Sequence, residues 1–96
     1  LKGLTVASAA STETSGQTAL TITEAKQAAG NTYAYKSAAA VTTPLYGEVC
    51  NADSGYTAWN GTDEIKAKTG DQIVVVEIDA AGKAVAAGTA KVTSKA

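Results

Sequence analysis

Ninety-six residues make one domain with a single core, and a second core would not fit. The composition is 45% hydrophobic, with one tryptophan, four tyrosines and no histidine, methionine or phenylalanine, so imidazole chemistry is excluded. A net charge of −1, with the 8 cationic residues scattered and all lysine, excludes the clustered basic surface that binding nucleic acid requires.

Leu4 to Ala7 is predicted as a short first strand, followed by a polar Ser/Thr/Gly tract, Ser8 to Gln17, that reads as a linker or long loop. Residues 1–17 are therefore expected to be an N-terminal arm, or a first strand with a flexible linker, ahead of a domain over residues 18–96. In Thr18 to Glu24, Leu20 and Ile22 alternate with Thr21 and Thr23, the period of a half-buried strand. Glu24 to Gly30 holds good helix formers, but seven residues make little more than one turn, so a turn-like connection is expected. The next strand carries Tyr33 and Tyr35 on one face.

From Thr43 to Gly61 the chain is expected to be irregular, with Pro44 at a strand end or edge. Asn60-Gly61 and Thr69-Gly70-Asp71 are turn signals around a short strand at Ile65, with Glu64 and Lys66 turned away from the core. Ile73 to Ile78 is almost continuously apolar, as a central strand covered on both faces would be. Asp79 to Gly82 supplies a tight turn whose glycine can take a positive φ, and Lys83 to Thr93 returns as the partner strand. Short strands at intervals of about ten residues, with no convincing helix, predict an all-β immunoglobulin-like antiparallel sandwich. A small closed barrel is the alternative.

Chemistry-bearing residues are few. Cys50 has no partner for an internal disulfide and no histidine to activate it, so it reads as a small, half-buried apolar residue. Asp63, Glu64, Asp71, Glu77 and Asp79 do not have the spacing of a calcium loop and read as solvated strand ends; no catalytic residue, metal or cofactor is expected. Glu77, the one acid in an apolar strand, is the residue to suspect of assisting a Lys–Asn or Lys–Asp crosslink, against the simpler reading of a charge reaching the surface. Asn60-Gly61-Thr62 fits a glycosylation acceptor but reads better as a turn. Tyr46, Tyr56 and Trp59 share the irregular stretch and are candidates for a recognition patch, with a core role for Trp59 as the simpler reading. Leu4 and Val6 form a lone apolar patch that needs either an edge-strand position or a partner. No run of 18 apolar residues occurs, and no charged segment followed by an apolar one opens the chain, so neither a membrane span nor a signal peptide is expected.

Three motifs carry a resemblance: Tyr33-x-Tyr35-Lys36, Trp59-x-Gly61-Thr62, and the hairpin from Val76 to Ala84 with its Val-Glu-x-Asp-x-x-Gly-Lys-Ala pattern. Over about residues 16 to 94 they resemble an immunoglobulin-like module of head-fibre and capsid-decoration proteins of tailed bacteriophages of Gram-positive hosts. The resemblance implies a non-enzymatic virion structural protein on the capsid exterior. The partners it implies are the major capsid protein or other virion subunits, with a homo-oligomer as a further arrangement, and the residues before Gly16 would be the attachment arm. A bacterial cell-surface or secreted module, adhesive or carbohydrate-binding, is the alternative. Leu4, Val6, Tyr46, Tyr56 and Trp59 are the candidate partner-binding residues.

Overall fold

The computed structural model describes residues 2–24, 26–50, 55–61 and 64–95. Among them the chain forms eight strands and no helix: β1 (Lys2–Gly3), β2 (Val6–Ala10), β3 (Gln17–Ile22), β4 (Thr32–Ala38), β5 (Thr57–Trp59), β6 (Ile65–Lys66), β7 (Gln72–Ile78) and β8 (Ala84–Lys91). They build a five-stranded sheet, β1-β8-β7-β4-β5, and a three-stranded sheet, β2-β3-β6. This is the β-sandwich, immunoglobulin-like and not a closed barrel. All pairings between the strands are antiparallel except that of β1 with β8.

β7 lies at the centre of the larger sheet, which is why its sequence is apolar without alternation. Ile73 and Val75 face the second sheet and join Leu20, Tyr33, Trp59, Ile65, Ala86 and Val92 in the main core. Val74 and Val76 face the other way, into a second cluster with Ala34, Cys50, Tyr56, Ala84 and Ala87. Ala84 and Ala86 can serve opposite faces because a β-bulge shifts the register of β7 and β8 between Glu77 and Ile78. In the turn between them Gly82 takes φ +80, and the Asp79 carboxylate accepts from the amides of Ala81 and Lys83, as the turn signal predicted.

The N-terminal segment departs from expectation. Instead of one strand over Leu4 to Ala7, the chain changes sheets at Leu4-Thr5: β1 pairs with β8, and β2 pairs with β3 in the other sheet. Leu4 crosses β8 at Gly88, where an added Cβ would lie 2.2 Å from the Leu4 carbonyl oxygen. Only glycine allows that approach. Ser8 to Ala10, read as the start of a loop, belong to β2 because their polar groups find partners there. The Ser8 hydroxyl lies 2.6 Å from that of Thr18, which donates to the Ala9 carbonyl, and Ser8 Oγ also accepts from the Thr93 amide. Part of the stretch expected to be irregular is also ordered pairing, with β5 on β4 and Val49 bridged to Lys83.

Candidate interaction surface

The five residues singled out in the sequence do not gather at one place. Leu4 and Trp59 are buried in the main core, with Val6 half-buried against it, and Trp59 packs on Tyr33 at a ring separation of 5.7 Å. Tyr56 is buried on the opposite face of the large sheet, beside Cys50. Tyr46 alone of the five is widely exposed, at 70%, and its neighbour Leu45 is more so, at 77%. Leu45 was not singled out. The only local signal for it is an apolar pair set between Pro44 and Gly47 in a tract without a strand period.

The loop bearing Leu45 and Tyr46 is held by backbone pairing. Gly47 donates to the Ala84 carbonyl, Ala84 donates back to Glu48, and Cys50 donates to Gly82, at 2.8 to 3.0 Å. Gly47 takes φ +80, in the left-handed region that lets the chain turn back after Tyr46. Beneath the loop, Pro44 and Cys50 are buried. Cys50 is fully buried rather than half-buried, and burial pushes its thiol above the ordinary range. Burial also pushes the Tyr56 phenol up to about 12, with Cys50 and Glu48 adding to the effect. Lys36 Nζ sits 5.9 Å from the Tyr56 ring centre. A recess of about 260 Å³ lies here, lined by Lys36, Val41, Thr43, Pro44, Glu48 and Tyr56. A larger open groove, about 570 Å³, runs along the β5 side between Tyr33, Ala58, Trp59, Glu64 and Ile78.

The carboxylates are dispersed. Glu64 accepts from the Ser11 hydroxyl, Asp79 caps its turn, and Asp63 lies outside the described residues. Among the described residues no three His, Cys, Asp or Glu side chains gather as metal ligands would. Glu24, at the surface, accepts from the amide and hydroxyl of Thr5, and those hydrogen bonds hold its pKa below the usual carboxylate value. Glu77 corrects the expectation of a solvated strand end, because it is fully buried. It lies on the inner face of β7, opposite Tyr33, where the connection after β3 folds over the end of the core. Its Oε2 accepts from the Gln27 amide at 2.7 Å and from Asn31 Nδ2 at 2.6 Å, while Oε1 has no hydrogen-bond partner among the described residues. Its hydrogen bonds thus come from an amide and a carboxamide, and Lys26, the chain neighbour of Gln27, is exposed with Nζ 5.5 Å from the Tyr33 ring centre. The geometry is that of a buried clasp between β7 and the connection after β3.

Residues 12–95 match the family described as the S-layer protein SbsC C-terminal domain. The chain belongs to that family. Among solved structures it is similar to surface layer protein SbsC, domains 4–9, with 27% identity and a TM-score of 0.71 over 97% of this chain and 14% of that one. It also shares the fold of a structure of SbsC domains 7, 8 and 9, with 23% identity and a TM-score of 0.69 over 95% of this chain and 30% of that one. The chain therefore spans less than a third of the length of either of these structures. Among curated proteins none matches.

Membership of the SbsC C-terminal domain family overturns the expected kinship with bacteriophage head-fibre and capsid-decoration modules. The major capsid protein and other virion subunits fall away as partners, and the virion as a location. The motifs behind that expectation are demands of the fold. Tyr33 and Tyr35 pack against the main core, Gly61 takes φ +89 where a Cβ would press on the Tyr33 ring at 3.2 Å, and Asp79 to Gly82 close a hairpin. Any sandwich built this way needs such residues, so they report architecture and not lineage.

Proposed function

We propose that this chain is a structural module of a bacterial surface-layer protein, lying outside the cell and acting without catalysis as part of a self-associating coat. The observation that carries the reading is the family match over residues 12–95, supported by 27% identity to an SbsC structure across nearly the whole chain. The physical character of the molecule agrees with a load-bearing part. Its core is closed on both faces of β7, and Glu64, Glu77 and Asp79 are engaged in a side-chain contact, a buried clasp and a turn. In this reading Leu4, Val6, Tyr56 and Trp59 act as packing residues, and the N-terminal segment is part of the module, an inference supported by the burial of Leu4 and the pairing of β1 and β2.

The test is to locate the protein on intact cells. Immunogold labelling with an antibody to the module is expected to decorate the outer surface, and a chaotrope wash of whole cells is expected to release the protein. Retention in the cytoplasm, or release only on lysis, overturns the proposal.

A further inference from the structure

We infer that the end of the sandwich bearing Leu45 and Tyr46 is a seat for the module that precedes this one in the same polypeptide. The inference rests on the surface-layer reading above and names the partner of an exposed apolar feature of the described surface. Leu45 and Tyr46, with Val49 at 42% exposure, are the large apolar side chains that the described surface leaves open. They are presented by a backbone fixed to Gly82 and Ala84 at the start of β8.

The same edge of β8 receives the incoming chain. β1 pairs with β8 in parallel, Lys2 opposite Ala86 and Gly3 opposite Ala87, and the Leu4 amide donates to the Ala87 carbonyl. A parallel strand followed backwards from Lys2 runs toward Ala84, where Gly47 and Glu48 are bonded. Whatever precedes Lys2 therefore arrives beside Leu45 and Tyr46. The chain leaves at the other end of β8, about 23 Å away at ~3.3 Å per residue, where the Gln17 carbonyl accepts from the Lys95 amide and the Lys95 carbonyl accepts from the Gly16 amide.

Size decides between a tethered neighbour and a free one. Two or three side chains fall well short of the roughly 800 Å² per partner that a stable interface between separate molecules buries. For a neighbour joined through the chain the effective concentration is on the order of millimolar, and a small apolar contact then suffices. The SbsC structure of domains 4–9 matches this chain over only 14% of its length, a proportion in keeping with a module that has neighbours.

The experiment is to introduce Tyr46→Cys and measure maleimide labelling in the polypeptide as the cell makes it and in the 96-residue chain. Tyr46 is exposed, so the substitution leaves folding intact, and the buried Cys50 serves as the slow internal reference. Labelling about tenfold or more slower in the full polypeptide is expected, since an amide or side chain under a domain contact reacts only on opening. Adding Leu45→Ser should return the rate toward that of the 96-residue chain and loosen the pair of modules in small-angle scattering. Equal rates in the two proteins overturn the inference, as does the absence of a folded module upstream. Protection that appears in the 96-residue chain and grows with concentration also overturns it, assigning the surface to a second copy. None of these results depends on where in the cell the protein is found, so the inference can fail while the surface-layer reading stands.

Discussion

On one face of β7, Ile73 and Val75 look across to a second sheet; on the other, Val74 and Val76 look out to the segment carrying Val41, Cys50 and Tyr56. All four side chains are fully buried. What differs is the cover. The inner face is closed by β3 and β6, whose backbones are tied into a ladder, whereas the outer face is closed by a loop held at a few points on β8. Equal burial does not mean equal rigidity, because a loop can settle into a vacated space more readily than a paired strand can.

The largest expected effect comes at the end of the inner face. Glu77→Ala leaves the Gln27 amide and Asn31 Nδ2 without an acceptor in a closed site and is expected to cost about 3–5 kcal/mol. Glu77→Gln can offer its carbonyl oxygen to the same two donors, so it should cost far less. Urea unfolding of both variants checks this, and equal losses would show that the clasp does not hold the connection after β3 in place.

A smaller difference tests the comparison itself. Val75→Ala, under the second sheet, is expected to lose about 2–3 kcal/mol, and Val76→Ala, under the loop, about 1–2 kcal/mol, since the loop can collapse on the cavity. Denaturant midpoints on the two variants decide it. A larger loss at Val76 would mean that the outer cover is the stiffer one.

The smallest effect is the alkaline limb of stability. Tyr56, under the loop, has its phenol pushed from an ordinary value of 10.0 to about 12, so the folded state resists ionising it more than the unfolded chain does. Its contribution is complete below pH 10 and is lost as the pH rises from 10 toward 12. Burial of the Cys50 thiol acts in the same direction. Tyr56→Phe should therefore flatten the decline in the urea midpoint over that range, and an unchanged slope would show that the loop opens before Tyr56 ionises.

Much of the fold was legible because it is written in local chemistry. Alternation marked β3 at Leu20 and Ile22, an unbroken apolar run marked β7, and Asp79 with Gly82 marked the hairpin between β7 and β8. The candidate site was far less legible. Tyr46 and Tyr56 lie in the same aperiodic stretch, and nothing within ten residues tells that one is 70% exposed and the other 8%. Leu4 likewise looked like a patch in search of a partner, and its partner proved to be the protein's own β8 at Gly88.

The sequence by itself determined the class of fold, the central strand and the turns, since strand period and positive-φ glycines act over a few residues. Only the tertiary structure decided that Glu77 is buried, that the N-terminal segment spans both sheets, and that Leu45 and Tyr46 are left facing outward. Each of those outcomes depends on contacts between residues tens of positions apart, such as Glu77 with Asn31 or Gly47 with Ala84, and no local period encodes which segment will come to lie over which.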